Sequence, residues 1–167
     1  MLNFDTSILS ASEHRTLGLL RERGAAVAKG VRPCAGKGGC GKTCARRAAT
    51  ILMTLLAMDG RRTVTLHGAA SSKVSPDEMS LLCLIAASQL AEEPLSKALA
   101  LWLAPASHAG QLRQTASLLG DILADEGNVL PLRFMAPPSR RRDSLGLVAL
   151  ERPASRPNIA LPLSKTS

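Results

Sequence analysis

Eight consecutive residues carry the sharpest chemical pattern in the chain. Gly36-Lys37-Gly38-Gly39-Cys40-Gly41-Lys42-Thr43 satisfies G-x-x-x-x-G-K-[ST] at every fixed position. The chemistry open to such a run is phosphate binding. Glycines let successive backbone N–H groups curl around an anion, and the helix that follows points its N-terminus at the charge. Lys42 then reaches the terminal phosphates and the Thr43 hydroxyl ligates Mg²⁺. On this reading Lys37, Gly38, Gly39, Gly41, Lys42 and Thr43 hold phosphate, and the cofactor is ATP with Mg.

The run also resembles the deviant Walker A loop of the ParA/MinD family of partitioning ATPases. In that family an additional lysine early in the loop contacts phosphate across a dimer interface, and Lys37 holds that place here. The resemblance covers residues 36–67: the loop, the Ala/Leu-rich stretch Ala45–Met58, Gly60-Arg61-Arg62, and Thr63-Val64-Thr65-Leu66. It implies a reduced nucleotide-binding protein.

A catalytic nucleoside triphosphatase needs more than its loop. The loop must hang from a buried strand, but Arg32 and Pro33 stand where a continuous apolar run belongs, and proline cannot serve a central ladder. Mg²⁺ and water need an acid at the end of another strand, whereas Thr63–Leu66 runs into His67 and Gly68. A doubly wound sheet alternates strands with helices, and residues 76–126 read as helix after helix. The primary expectation is therefore a non-enzymatic regulatory or adaptor protein without a cofactor, acting through a helical interaction surface. The nucleotide-binding protein is its alternative.

Three thiols lie close together. Cys34, Cys40 and Cys44, with His67 or Cys83 in reserve, are the residues a metal would use, but C-x5-C-x3-C matches neither a zinc knuckle nor a common iron–sulfur spacing. No metal is expected. The N-terminal residues lack a basic segment followed by an apolar run, and no apolar stretch is long enough to span a bilayer. Those features point to the cytoplasm, with thiols reduced and no membrane partner.

Helices must position whatever chemistry there is. Ser10 and Glu13 stand at capping-box spacing and predict a helix over 10–23, which Gly24 can end. Residues 24–41 read as an irregular basic loop rich in glycine and cysteine. A second helix is predicted from Thr43 to Asp59, with Ile51, Leu52, Leu55, Leu56 and Met58 on its apolar half. Val74-Ser75-Pro76-Asp77-Glu78-Met79 combines a cap, a proline at the first helical position, a capping box and a hydrophobic staple. Two further helices follow, the first after Pro94 and the second over 107–126. Alternation predicts short strands at about 62–67 and 129–134. The fold class expected is mainly α: a single compact domain of four or five helices over residues 1–135, then a Pro/Arg-rich tail over 136–167.

The chain carries two Phe, one Trp and no Tyr, which argues against the aromatic platforms that stack single-stranded nucleic acid. Its net charge of +8 is unevenly spread: +8 over 1–75, −5 over 76–130 and +5 over 131–167. Basic segments flanking an acidic middle suit a polyanion partner as well as internal neutralisation. The partners expected are a protein and, through Arg46, Arg47, Arg140, Arg141 and Arg142, a nucleic acid or another polyanion.

Overall fold

The computed structural model describes residues 4–31 and 45–133. The chain is mainly helical. Among the described residues are five α-helices: α1 (Ala11–Ala28), α2 (Ala45–Asp59), α3 (Pro76–Gln89), α4 (Glu93–Leu103) and α5 (Ala106–Asp125). One two-stranded antiparallel ribbon joins β1 (Phe4–Asp5) to β2 (Lys73–Val74), in the register Phe4↔Val74 and Asp5↔Lys73. These elements belong to one compact unit, Met1–Met135. The tail over 136–167 lies outside the described residues. No described helix is long and apolar enough to cross a membrane.

The middle helix owes its place to its composition. From Asp77 to Ala87 every residue of α3 except Ser80 is buried, so α3 has no solvent face and is wrapped by its neighbours. α5 packs against α2, α3 and α4, while α1 packs on α2 and more lightly on α3. Leu17, Leu20, Leu52, Leu81, Leu84, Ile85, Leu112 and Leu119 fill the centre. α5 buries one face at helical spacing, with Leu112, Ala116, Leu119 and Leu123 turned inward.

Both capping boxes form. Ser10 accepts from the Glu13 amide while Glu13 accepts from the Ser10 amide, and Ser75 and Glu78 do the same at the start of α3. Val74 and Met79, the staple residues, are both buried.

Four expectations change. Gly24 does not end α1; the helix runs on to Ala28, and Gly30 (φ +84°) makes the exit. Gly24 lies instead at a close approach: a Cβ there would stand 2.3 Å from Leu66 Cδ1, and that side chain would have to shift. The apolar face of α2 is rotated from the one expected, burying Ala48, Ala49, Leu52, Met53 and Leu56 and leaving Met58 77 % exposed. The strands expected at 62–67 and 129–134 are absent from the described part of those ranges. Alternation at 63–66 is real, with Val64 and Leu66 turned inward and Thr63 and Thr65 outward, but no strand among the described residues pairs with the segment. Side chains of α3 bond its backbone instead. Thr65 N–H donates to Asp77 Oδ2 and His67 N–H to Glu78 Oε1, both at 2.8 Å, and Ser75 Oγ donates to the Thr65 carbonyl at 2.6 Å. At the other end, Gln89 Nε2 donates to the Gly120 and Asn128 carbonyls at 3.0 Å, and Gln89 Oε1 accepts from Leu130 N–H at 2.8 Å. Periodicity detects an extended chain; it does not detect what supplies its hydrogen bonds.

Candidate functional site

Lys37, Gly38, Gly39, Gly41, Lys42 and Thr43 lie outside the described residues, as do Cys34, Cys40, Cys44 and Arg140–Arg142. The described chain resumes at Ala45, two residues beyond Thr43, already as the first turn of α2. Arg46 and Arg47 stand in that turn and both are exposed. Arg46 is not a free cation: its guanidinium donates to the Glu22 carboxylate of α1, and Glu22 is shared with Arg23. Such exposed pairs contribute little to stability, on the order of 0–1 kcal/mol. Their effect is to quench positive charge beside the start of α2.

One polar centre among the described residues is built on Glu78, which the sequence shows only as a capping-box residue. Glu78 is fully buried and Arg21 of α1 nearly so. Arg21 Nε and Nη2 donate to the two Glu78 oxygens at 2.8 and 3.1 Å. Its remaining bonds go to the Ser71 and Lys73 carbonyls at 2.9 and 2.6 Å. Burial works to raise the Glu78 carboxyl. Hydrogen bonds from Arg21 and from the Ser75 and His67 amides outweigh it, so the group stays below its ordinary range. One ion pair thereby ties α1, α3, β2 and the 60–72 connection together.

Glu13 repeats the device. Burial pushes its carboxyl up, and Arg133, with the Ser10 amide and hydroxyl, holds it below the ordinary value. Arg133 donates to both Glu13 oxygens, at 2.6 and 2.8 Å, and to the Ile8 carbonyl at 2.6 Å. The capping glutamates were legible at their spacing. Their arginine partners, 57 and 120 residues away in sequence, were not.

Around Arg21 the chain leaves a cleft of about 600 Å³ between α1, α2 and residues 60–68. Val27, Met53, Leu56, Val64 and Leu66 give it apolar walls, and Arg62, Thr63 and His67 bring polar groups to it. Arg62 pairs with Asp77 and lies over the Trp102 ring, 5.1 Å from its centroid. Trp102 is half-buried against the core. Cys83 is buried, donates from Sγ to the Arg133 carbonyl at 3.4 Å, and has its thiol pushed up chiefly by burial. No group of three His, Cys, Asp or Glu suited to a metal occurs among the described residues. No family model, curated protein or solved structure matches the chain.

Proposed function

We propose that this chain is a non-enzymatic adaptor whose helical body presents an interaction surface to a protein partner and whose basic segments contact a polyanion. The observation that carries the proposal is the division of charge. The described residues hold twelve Lys/Arg and eleven Asp/Glu. Six of those arginines take part in ion pairs. The other nine cations, against two acids, fall in 32–44 and 134–167. A body with almost no net charge has little long-range pull on phosphate, whereas short segments dense in Lys and Arg have much. The buried acids Glu13, Asp77 and Glu78 are already committed to holding backbone and arginine, which favours a scaffold over a catalyst.

The test is fluorescence anisotropy with a labelled DNA duplex across a salt series. Binding should weaken as salt rises, and replacing Arg140, Arg141 and Arg142 by Ala should flatten the log–log slope by up to about three. No binding at low salt to DNA or to heparin would sink the polyanion part of the proposal.

One observation favours the nucleotide-binding alternative: the chain is helical from Ala45, two residues past Thr43, and a phosphate loop is followed by a helix. Calorimetry with Mg·ATP on the native chain and on Lys42→Ala separates the two readings. Saturable binding lost in the variant favours a nucleotide site at 36–43. Absence of heat with either protein leaves the adaptor.

A further inference from the structure

The cleft between α1, α2 and residues 60–68 has the attributes of a small-molecule site. Its volume of about 600 Å³ falls within the roughly 300–1,000 Å³ usual for such pockets. Its walls are mostly apolar, and the charged or titratable residues lining it among the described residues are Arg21, Arg62 and His67, with no carboxylate among them. Asp77 and Glu78 reach residues 62–67 by bonding the backbone amides of Thr65 and His67, and neither lines the cleft. Those bonds fix one wall in place without any ligand. A preformed wall lowers the ordering cost of binding.

The two arginines differ in what they have left to offer. Arg21 uses all three of its nitrogens on Glu78, Ser71 and Lys73. Arg62 gives one hydrogen bond, from Nη2 to Asp77, and its side chain is 39 % exposed. A guanidinium has five N–H donors; among the described residues Asp77 takes one from Arg62, whose guanidinium also lies over the Trp102 ring. Ala25, Ala28 and Ala57 line its mouth, and all three are exposed among the described residues.

From charge complementarity, we propose that this cleft binds a small apolar carboxylic acid. Its hydrocarbon body lies along Val27, Met53, Leu56, Val64 and Leu66, and its carboxylate meets Arg62 beside His67. This site is independent of the 36–43 loop and of the polyanion proposal.

Octanoate and octanol, which share an apolar body and differ in charge, are titrated calorimetrically into the full chain. One octanoate per chain is expected at saturation, with octanol bound about fivefold more weakly, because a guanidinium–carboxylate hydrogen bond is stronger than one to a neutral hydroxyl. Ala57→Trp fills the mouth from an exposed helical position. It should weaken octanoate by about tenfold or more through lost apolar contact, with an unchanged far-UV circular dichroism spectrum. Arg62→Gln should abolish the preference for octanoate over octanol. Absence of saturable octanoate binding, or binding that Ala57→Trp leaves intact, overturns the site. Equal binding of octanol and octanoate by the native chain overturns the carboxylate assignment.

Discussion

Arg21 shows how much one side chain can hold when it is buried and fully bonded. Arg21→Met keeps the apolar stem but strands the Glu78 carboxylate in the core and frees the Ser71 and Lys73 carbonyls. Removing one partner of such a pair typically costs about 3–5 kcal/mol. Urea unfolding should show a loss of that size, and a loss below about 1 kcal/mol would mean that water replaces the guanidinium. Acid acts on the same centre. Glu13 and Glu78 titrate below the ordinary 4.5 in the folded chain. Groups with depressed values stabilise fully above the unfolded value, and that contribution is lost as pH falls through the folded one. Thermal stability should therefore stay level from neutrality down to about pH 5 and decline below it. The decline should be shallower in Glu78→Gln. Both glutamates were visible as capping residues because a capping box is local. Arg21 and Arg133 were not, because nothing in the spacing of a helical arginine or of one near a chain turn names a distant partner.

At the scale of elements, the two helix starts at Ser10 and Ser75 were legible because capping needs only four residues and no tertiary context. The α1 terminus was not. Gly24 looks like a stop in sequence, but it serves close packing against Leu66. The orientation of α2 was misjudged because Met58 counts as apolar in any pattern, whereas the core selects Ala48 and Ala49 for their small size. Gly120 of α5 is a second close approach: a Cβ there would lie 2.9 Å from Gln89 Cγ and 3.4 Å from the Ile85 carbonyl oxygen. Gly120→Ala should destabilise by about 1–3 kcal/mol through overpacking. Its displacement of Gln89 would also disturb the bonds to Asn128 and Leu130. Gly110, on the same helix, has open space where its Cβ would be, so Gly110→Ala should stabilise by about 0.5–1 kcal/mol through helix propensity. Melting curves of the pair separate crowding from propensity.

For the whole molecule, the even charge of the helical body and the cationic surplus of 32–44 and 134–167 could be counted from sequence only after the described boundaries were known. Fold class was legible, since Leu and Ala at helical spacing with few aromatics leave little else. The cleft was not. It arises where the 60–68 connection bows past α1 and α2, and its lining residues come from three separated stretches of chain.

Asp77, Glu78 and Gln89 all belong to α3, two at its start and one at its last residue. They address the neighbouring connections through peptide groups, which every amino acid but proline presents alike. The outward side chains Thr63, Thr65 and Val129 therefore have little part in setting the path that the chain takes there. Across related sequences, drift should be tolerated at those three positions and resisted at three polar residues of one helix. The memory of where two loops run is stored outside the loops themselves.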